Sequence, residues 1–224
     1  MNHTVLGIIP ARGGSKGVPR KNLRCINGIP LIGYAINAAK NSTLISEIIT
    51  STDDTEIGEA ARQFGASVID RPENLSSDTT PMVPVIRHIL ENMGASFDYV
   101  AVLQPTTPQR TSEDIDKSLS LLIEKQADSV ISVFDVGANH PSRMYKMNGL
   151  YLLPYENDSK EKLRQSIEKV YQVNGAIYAC KTSLLKEQNT LIGEQTIPYI
   201  MPRERSISID DEMDLEIVQF LMRK

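Results

Sequence analysis

Short apolar runs alternate with segments of helical periodicity along most of this chain of 224 residues. The runs have the length of buried strands, whereas the segments between them carry apolar residues at helical spacing. This alternation is typical of an α/β fold with a mainly parallel sheet and helices on both faces. We predict strands at Val5–Ile9, Glu47–Ser51, Val68–Ile69, Tyr99–Leu103 and Ser129–Val136, and helices at Leu31–Lys40, Thr55–Phe64, Pro81–Met93, Ser112–Lys125 and Met213–Met222.

Polar residues follow several of these strands directly. A turn rich in glycine follows the first strand, and Asp53, Arg71 and Gln104 follow later ones. Asp53 or Asp54 is also the expected N-cap of the next helix. Right-handed crossovers bring the carboxyl ends of parallel strands to one edge of the sheet, where ligands bind in such folds. The sequence therefore predicts a functional site at this edge.

The turn after the first strand, residues 10–22, combines glycine with positive charge, and we call it the cation turn. Gly13, Gly14 and Gly17 let the backbone pass close to a ligand, because no Cβ stands in the way. The turn contains no acid, and its cations are Arg12, Lys16, Arg20 and Lys21. Backbone amides and cations together suit a polyphosphate. The alternative is a surface loop whose charges are only solvated.

The cation turn differs in spacing from two common phosphate loops. A Walker A loop has Ser or Thr after its Lys, but here Gly17 follows Lys16. A dinucleotide loop has the pattern G-x-G-x-x-G leading straight into a helix. Here Gly13 and Gly14 are adjacent, and Pro19 delays any helix. The sequence therefore indicates a phosphate site of another kind.

Charge is distributed unevenly along the chain. Residues 1–46 contain six Lys and Arg and no acid, a charge of +6. The remainder carries 18 cations and 28 acids, a charge of −10, and the two parts give the net charge of −4. A basic strand end on an acidic protein favours a small anionic ligand and argues against a nucleic-acid partner.

Composition argues against several other classes of protein. A hydrophobic content of 41% and a charged content of 23% are ordinary for a globular protein, and we expect one domain over residues 1–224. No run approaches the length of a membrane span. The first residues do not resemble a secretion signal, and Cys25 and Cys180 have neither metal-site nor disulfide spacing. We therefore expect no membrane association and a cytoplasmic location.

Five motifs cover nearly the whole chain: Ile9–Asn22, Arg71-Pro72, Leu103–Pro108, Gln172–Tyr178 and Ser206–Asp210. In this order they resemble the motifs of the acylneuraminate cytidylyltransferases, the CMP-sialic acid synthetases and their relatives. The resemblance implies a Rossmann-like fold of the nucleotide-diphospho-sugar transferase type. It implies two substrates, CTP and an acidic nine-carbon sugar (a nonulosonic acid), whose anomeric hydroxyl attacks the α-phosphate to give a CMP-sugar and pyrophosphate. It also implies Mg²⁺ as cofactor, with Mn²⁺ as a substitute.

The resemblance assigns the nucleotide to the cation turn and to Arg71. Arg12, Lys16 and Lys21 are implied to be catalytic, because their charge compensates the negative charge of the departing pyrophosphate. Arg71 is implied to lie near the cytidine, and the alternative for it is a solvated loop arginine. The whole implied set of nucleotide-binding residues is Ala11, Arg12, Gly13, Ser15, Lys16, Lys21, Asn22 and Arg71.

The resemblance assigns the sugar to Gln104, Asn174 and Tyr178. Each residue has an alternative that needs no ligand. Gln104 can be an amide that only caps the turn after its strand. Asn174 and the glycine after it can be a turn before a strand at Ala176–Cys180, and Tyr178 can be a core residue.

Asp210 is the predicted magnesium ligand and the fourth residue implied to be catalytic. Magnesium prefers oxygen ligands and often takes one or two carboxylates together with substrate phosphates. Asp210 follows Ile207 and Ile209, which look like strand positions. The alternative is that Asp210 caps the helix that follows. Many family members carry a second acid two positions earlier, where this chain has Ser208.

Residues 140–172 interrupt the alternation of strands and helices. Met144–Met147 and Leu150–Pro154 flank Asn148-Gly149, which predicts a β-hairpin, and the polar segment Glu156–Glu168 follows. One interpretation is a peripheral flap. The resemblance implies instead a hairpin and helix insertion that forms a homodimer and reaches over the partner's active site. It implies that two arginines contact the acidic sugar from the neighbouring subunit, Arg143 and Arg164.

Two other functions compete with this interpretation. A Kdo-type cytidylyltransferase is the rival enzyme, although that group usually has Ser-Thr-Arg where this chain has Gly14–Gly17. The rival from another class is a regulatory protein that binds nucleotide without turnover, and Ser208 favours it. Within the first interpretation the sugar stays open. Leu191 and Ile192 lie where some sialate enzymes have aromatic residues, which hints at a different acyl pattern.

Overall fold

The computed structural model describes residues 3–155 and 168–223. The α-helices of these residues are α1 Leu31–Lys40, α2 Thr55–Phe64, α3 Met82–Met93, α4 Ser112–Glu124, α5 Thr182–Gln188 and α6 Glu212–Leu221. Their strands are β1 Val5–Pro10, β2 Cys25–Ile26, β3 Ile29–Pro30, β4 Glu47–Thr52, β5 Ser67–Asp70, β6 Tyr99–Val102, β7 Ser129–Asp135, β8 Tyr145–Asn148, β9 Tyr151–Pro154, β10 Tyr171–Lys181 and β11 Thr196–Ile200. None of the helices described is long and apolar enough to cross a membrane.

Seven of these strands form one central sheet in the order β11-β7-β10-β6-β1-β4-β5. The pairs β1–β4, β1–β6, β4–β5 and β7–β11 are parallel. Only β10 runs against its neighbours in this sheet, since it pairs antiparallel with both β6 and β7. The prediction of a mainly parallel sheet is therefore confirmed.

Helices cover both faces of the sheet, as the alternation of the sequence predicted. Val5 and Ile9 of β1 pack into a core cluster with residues of α1, α2 and α4. Leu6 and Ile8 of the same strand pack into a second cluster with residues of α3 and α5. Successive side chains of a strand point to opposite faces, so a strand buried on both sides must be apolar throughout.

The predicted helices and all but one of the predicted strands are confirmed within one or two residues, whereas the strand expected at Ala176–Cys180 begins at Tyr171 in β10. Several short elements were not predicted. Asp54 is the N-cap of α2, and its side chain accepts a hydrogen bond from the Ile57 amide at 3.0 Å. The unpredicted elements are the β2–β3 pair, α5 and β11. Each has few residues, and β11 carries Pro198 at the edge of the sheet, a position that tolerates proline.

One sequence prediction and one alternative interpretation near the predicted functional edge are wrong. Ile207 and Ile209 do not lie in a strand, because residues 206–210 pair with no strand of the part described. Ile209 is instead anchored by packing against Val18 and Leu215 and by its amide, which donates to the Thr106 carbonyl at 2.8 Å. Asn174 and Gly175 are not a turn before a strand. They lie inside β10, where the register with β7 shifts between Val173 and Tyr178.

The hairpin predicted in the insertion is confirmed as β8–β9, with Gly149 at a φ of +60° in its turn. Every residue of both strands is exposed. Most of the polar segment predicted after it, residues 156–167, lies outside the described residues, and so does Arg164.

Candidate active site

The cation turn is fixed by backbone contacts to neighbouring strand ends. The Ala11 amide donates to the Ser51 carbonyl at 3.0 Å, and the Gly13 amide donates to Asp53 Oδ1 at 2.9 Å. Asn22 is buried and donates from Nδ2 to the Arg12 carbonyl at 2.9 Å. A Cβ on Gly17 would lie 1.9 Å from the Asp210 carbonyl oxygen. Gly17 therefore allows the turn to approach the segment that carries Asp210.

The cations of the turn are paired with acids that lie far away in sequence. Arg12 and Lys16 both form ion pairs with Asp78, and Arg20 pairs with Glu56 at 2.8 Å. Hydrogen bonds from Lys16 and Arg12 hold the pKa of the Asp78 carboxyl below its usual value. The turn contains no acid of its own, but the fold supplies these partners.

Lys21, near the end of the cation turn, lies beside Asp210. Its Nζ donates to the Ile209 carbonyl at 2.6 Å and lies 3.5 Å from Asp210 Oδ1. The Lys21 side chain is largely buried, whereas the Asp210 side chain is 77% exposed. This pair places one positive and one negative group at the same rim of the site.

A cavity of about 160 Å³ separates the cation turn from the loop that follows β6. Arg12, Ser15, Lys21 and Asn22 line it on one side, and Gln104 with the two residues after it lines the other. The structure therefore brings together residues predicted for the nucleotide and a residue predicted for the sugar. A larger cavity at the opposite edge of the sheet, of about 590 Å³, contains none of the predicted site residues.

Arg71 is not the solvated loop arginine that was its alternative. It is buried, with Nε 3.1 Å from Ser51 Oγ and Nη2 2.7 Å from the Ser51 carbonyl oxygen. Burial lowers the pKa of Arg71 to about 10, although Asp53 partly opposes the shift. Arg71 thus ties β5 to the end of β4, and its contact with the cytidine stays a prediction.

Asn174 lies at the centre of a buried set of polar groups. Its Oδ1 accepts from Ser132 Oγ at 2.6 Å and from the Ala176 amide at 3.0 Å, and its Nδ2 donates to Ser206 Oγ at 2.9 Å. The Thr107 hydroxyl donates to the Asn174 carbonyl at 2.9 Å. Arg110 joins the same set, because its Nη1 donates to the Ala176 and Gln104 carbonyls. We call this set the amide network, and its members are Gln104, Thr107, Arg110, Ser132, Asn174, Ala176 and Ser206.

The amide network limits what Asn174 can do for a ligand. Asn174 is 3% exposed, and both polar atoms of its amide already have protein partners. A sugar contact through this side chain would break bonds that are costly to lose in a buried site. The geometry thus gives Asn174 a structural role beneath the cavity, and its sugar contact stays untested.

The remaining residues assigned to the sugar lie in different settings. Tyr178 is half-buried on β10 beside Val102 of β6, and burial raises the pKa of its hydroxyl. Arg143 is exposed at the start of the insertion. Leu191 packs against the core cluster beneath α3, and Ile192 is exposed.

At the start of α6, the residue that caps the helix is not the predicted metal ligand. Asp211 is the N-cap, since its Oδ1 accepts from the Asp214 amide at 2.9 Å in a capping box. The Asp210 carboxylate does not cap the helix and stays open to solvent. No cluster of three or more His, Cys, Asp or Glu in the described residues could hold a metal. The donor set fits magnesium with one protein carboxylate, provided that substrate phosphates supply further oxygens.

Comparison with known proteins shows which family the chain belongs to. A family model described as cytidylyltransferase matches residues 6–203. The chain belongs to the cytidylyltransferase family. It is 34% identical over 225 residues to the post-translational flagellin modification protein B of Campylobacter coli, covering 98% of this chain and 95% of that protein. It is also 34% identical over 229 residues to the CMP-N,N'-diacetyllegionaminic acid synthase of Legionella pneumophila, with 97% and 96% covered.

The fold of this cytidylyltransferase also matches a solved structure. The structure of CMP:2-keto-3-deoxy-manno-octonic acid synthetase complexed with CTP superposes with a TM-score of 0.72, at 21% identity and with 98% of each chain covered. This likeness confirms the Rossmann-like fold expected from the resemblance.

Sequence reasoning missed two residues at the site of this cytidylyltransferase: Asp78 and Arg110. It did name Gly17, although for an approach to a ligand and not for the approach to Asp210 that the structure shows. Arg110 comes two residues after the Leu103–Pro108 motif, which could have drawn attention to it. Asp78 had no local signal, since only the folded chain brings it to Arg12 and Lys16.

Proposed function

We propose that this cytidylyltransferase transfers CMP from CTP to the anomeric hydroxyl of a nonulosonic acid. The new bond joins the anomeric oxygen to the α-phosphorus, and the bond from that phosphorus to pyrophosphate breaks. One observation carries the proposal: the cation turn and Gln104 face each other across a single cavity. A triphosphate on one side and an acidic sugar on the other would meet at this position.

The proposed catalysis consists mostly of positioning and charge compensation. Arg12, Lys16 and Lys21 would bind the triphosphate and stabilise the charge that moves onto pyrophosphate. Ala11, Gly13 and Ser15 would surround the phosphates with backbone and hydroxyl groups of the turn, while Asn22 and Arg71 would shape the nucleotide site. Holding both substrates in one orientation removes much of the entropic barrier of a bimolecular reaction.

We assign Mg²⁺, with Mn²⁺ as a substitute, to Asp210. When bound, the ion would neutralise phosphate charge and polarise the phosphoryl oxygens. Asp210 suits this role because its carboxylate is exposed and is not used as the helix cap. Ser208 cannot supply a second carboxylate, so the remaining ligands would come from phosphate and water.

We assign the sugar to Gln104, which lines the cavity, and to Tyr178 on β10, which is not among the lining residues. The exposed hairpin would complete the sugar side of the cavity in a homodimer. Met147, Leu150, Tyr151 and Leu152 of the hairpin are all more than half exposed, and Leu150 reaches 95%. An apolar surface of this kind marks an interface. Arg143 and Arg164 would then contact the acidic sugar bound by the partner.

Pyrophosphate release tests the proposal. The assay combines CTP with a panel of acids: N,N'-diacetyllegionaminate, pseudaminate, N-acetylneuraminate, deaminated neuraminate and Kdo. We expect turnover that requires a divalent ion. It should be fastest with N,N'-diacetyllegionaminate, because the Legionella pneumophila relative is named as the synthase of the CMP derivative of this sugar. Turnover with Kdo alone would favour the rival enzyme. CTP binding without turnover under any magnesium or manganese condition would favour the regulatory protein.

Sedimentation velocity tests the homodimer. We expect the wild type to sediment as a dimer, and the double variant Tyr151→Glu, Leu153→Glu to sediment as a monomer. The double variant Glu113→Gln, Lys117→Met is the control, because it changes an exposed ion pair on α4 instead. A monomeric wild type at micromolar concentration would contradict the assignment. The cytoplasmic location inferred from the sequence stays a prediction.

A further inference from the structure

Arg110 is a buried cation that joins two chain segments beneath the sugar side of the cavity. It is 3% exposed. Its Nη1 donates to the Gln104 carbonyl at 3.1 Å and to the Ala176 carbonyl at 2.7 Å. Its Nε and Nη2 are buried and have no hydrogen-bond partner among the residues that the structure describes. All the hydrogen bonds of this side chain among the described residues are therefore made by one nitrogen, Nη1, to two carbonyl oxygens.

In the part of the chain that the structure describes, no carboxylate forms an ion pair with Arg110 that would balance its charge. Asp114 is the acid whose charge acts on it, but the Asp114 oxygens are bound by Arg205, by Thr111 and by the Tyr199 hydroxyl. Burial lowers the pKa of Arg110 to about 10. An unpaired charge costs free energy when it is buried, so packing alone does not explain an arginine at this position.

The two carbonyls bound by Arg110 belong to the loop after β6 and to the irregular part of β10. Gly175, at a φ of +75°, lies within this part. A Cβ on Gly175 would lie 2.8 Å from Gln104 Oε1. Arg110 thus holds the backbone of Gln104 from one side, and Gly175 leaves the space into which its side-chain amide fits from the other.

We propose that Arg110 is a positioning residue for the acidic sugar, because it fixes the Gln104 amide at the cavity wall. The inference rests on the proposed function, in which Gln104 contacts the sugar. Loss of Arg110 frees the Gln104 loop from β10, so the amide no longer meets the substrate in a fixed orientation. The cation turn lies across the cavity and is not touched by Arg110, so binding of CTP is unaffected.

Steady-state kinetics of Arg110→Met with the best acid of the panel tests the inference. We expect the KM for the sugar to rise about tenfold and the KM for CTP to change less than about twofold. Arg110→Lys should recover part of the loss, since its ammonium can donate to one of the two carbonyls. Arg205→Gln is the matched control, because it removes a cation from the same corner without touching Gln104.

A double-mutant cycle with Gln104→Ala shows whether Arg110 acts through Gln104. We expect Arg110→Met to add no further increase in sugar KM once the amide is absent. Additive effects would overturn the inference, as would an equal rise in both KM values or the same rise in Arg205→Gln.

Gly175→Ala provides a second route if Arg110→Met fails to fold. Its new methyl group pushes on the Gln104 amide directly, and we expect the same selective rise in sugar KM. A rise confined to the KM for CTP would overturn the inference. Absence of turnover by the wild type with every acid would instead refute the proposed function, and the inference would fall with it.

Discussion

The cation turn and the amide network face the same cavity but hold their polar groups in different ways. In the cation turn, Arg12, Lys16 and Arg20 are paired with acids from elsewhere and stay accessible, with Lys16 83% exposed, whereas Lys21 is largely buried. In the amide network, Asn174 is buried and its partners are neutral groups at fixed distances. Exposed ion pairs contribute little free energy, so a triphosphate can replace them easily. Buried hydrogen bonds are costly to break, so they suit a surface that must stay in shape.

Asp210→Ala gives the largest expected effect and tests the charged side of the comparison. We expect kcat to fall by about 100-fold or more, because the proposed ligand of the divalent ion is lost, and with it the positive charge that would compensate the phosphates. The melting temperature should change little, since Asp211 is the helix cap. Asp211→Ala is the control and should lose about 1 kcal/mol of stability while keeping most turnover. The reverse pattern would show that Asp210 is structural.

Asn174→Ala tests the buried side of the comparison. We expect the free energy of unfolding to fall by about 2–4 kcal/mol, because Ser132, Ser206 and the Ala176 amide lose a buried partner. Urea unfolding measures this change. Asn92→Ala, at an exposed helical position, should change stability by about 0.5 kcal/mol or less. Equal losses of unfolding free energy in the two variants would contradict the stabilising role assigned to the buried region.

Asp78→Asn tests whether the ion pairs of the cation turn are exchangeable. We expect CTP to bind about threefold more tightly without a divalent ion, because Arg12 and Lys16 no longer have a carboxylate to give up. Isothermal titration at low salt measures the affinity. Glu124→Gln is the control, because it also removes one negative charge but at the opposite edge of the sheet. It should leave the affinity for CTP unchanged. Weaker binding in Asp78→Asn would mean that Asp78 assists the nucleotide instead of competing with it.

Acid unfolding gives the smallest expected effect and concerns Asp114, beside the amide network. Burial raises the pKa of this carboxyl, but hydrogen bonds from Arg205 and Thr111 outweigh burial and lower the pKa below its usual value. The contribution of Asp114 to stability is therefore complete at pH values above its pKa in the unfolded chain, about 3.9. This contribution is lost as the pH falls through the lower pKa that Asp114 has in the folded chain. Urea midpoints between pH 3 and pH 7 should fall more steeply for the wild type than for Asp114→Asn. Parallel curves would contradict this assignment.

Much of the fold and part of the site were predictable from local patterns. The apolar runs and helical periodicities located the long strands and helices, because burial on both faces of a sheet leaves a continuous signal in the sequence. The cation turn, Arg71 and Gln104 were expected at one edge because each follows a parallel strand. The strand β11 carries no such signal, because it contains Pro198 and none of its residues is fully buried, and α5 spans only seven residues.

The sequence by itself determined the α/β architecture, the grouping of the cation turn with Arg71 and Gln104 at one end of the parallel strands, and the positive charge of the turn. Only the tertiary structure decided the partners of those charges and the role of Asn174. Asp78 is separated by 66 residues from Arg12, and Ser132 by 42 from Asn174. Hydrogen bonds and ion pairs act over a few ångströms, so they depend on distances in space that only the folded chain sets.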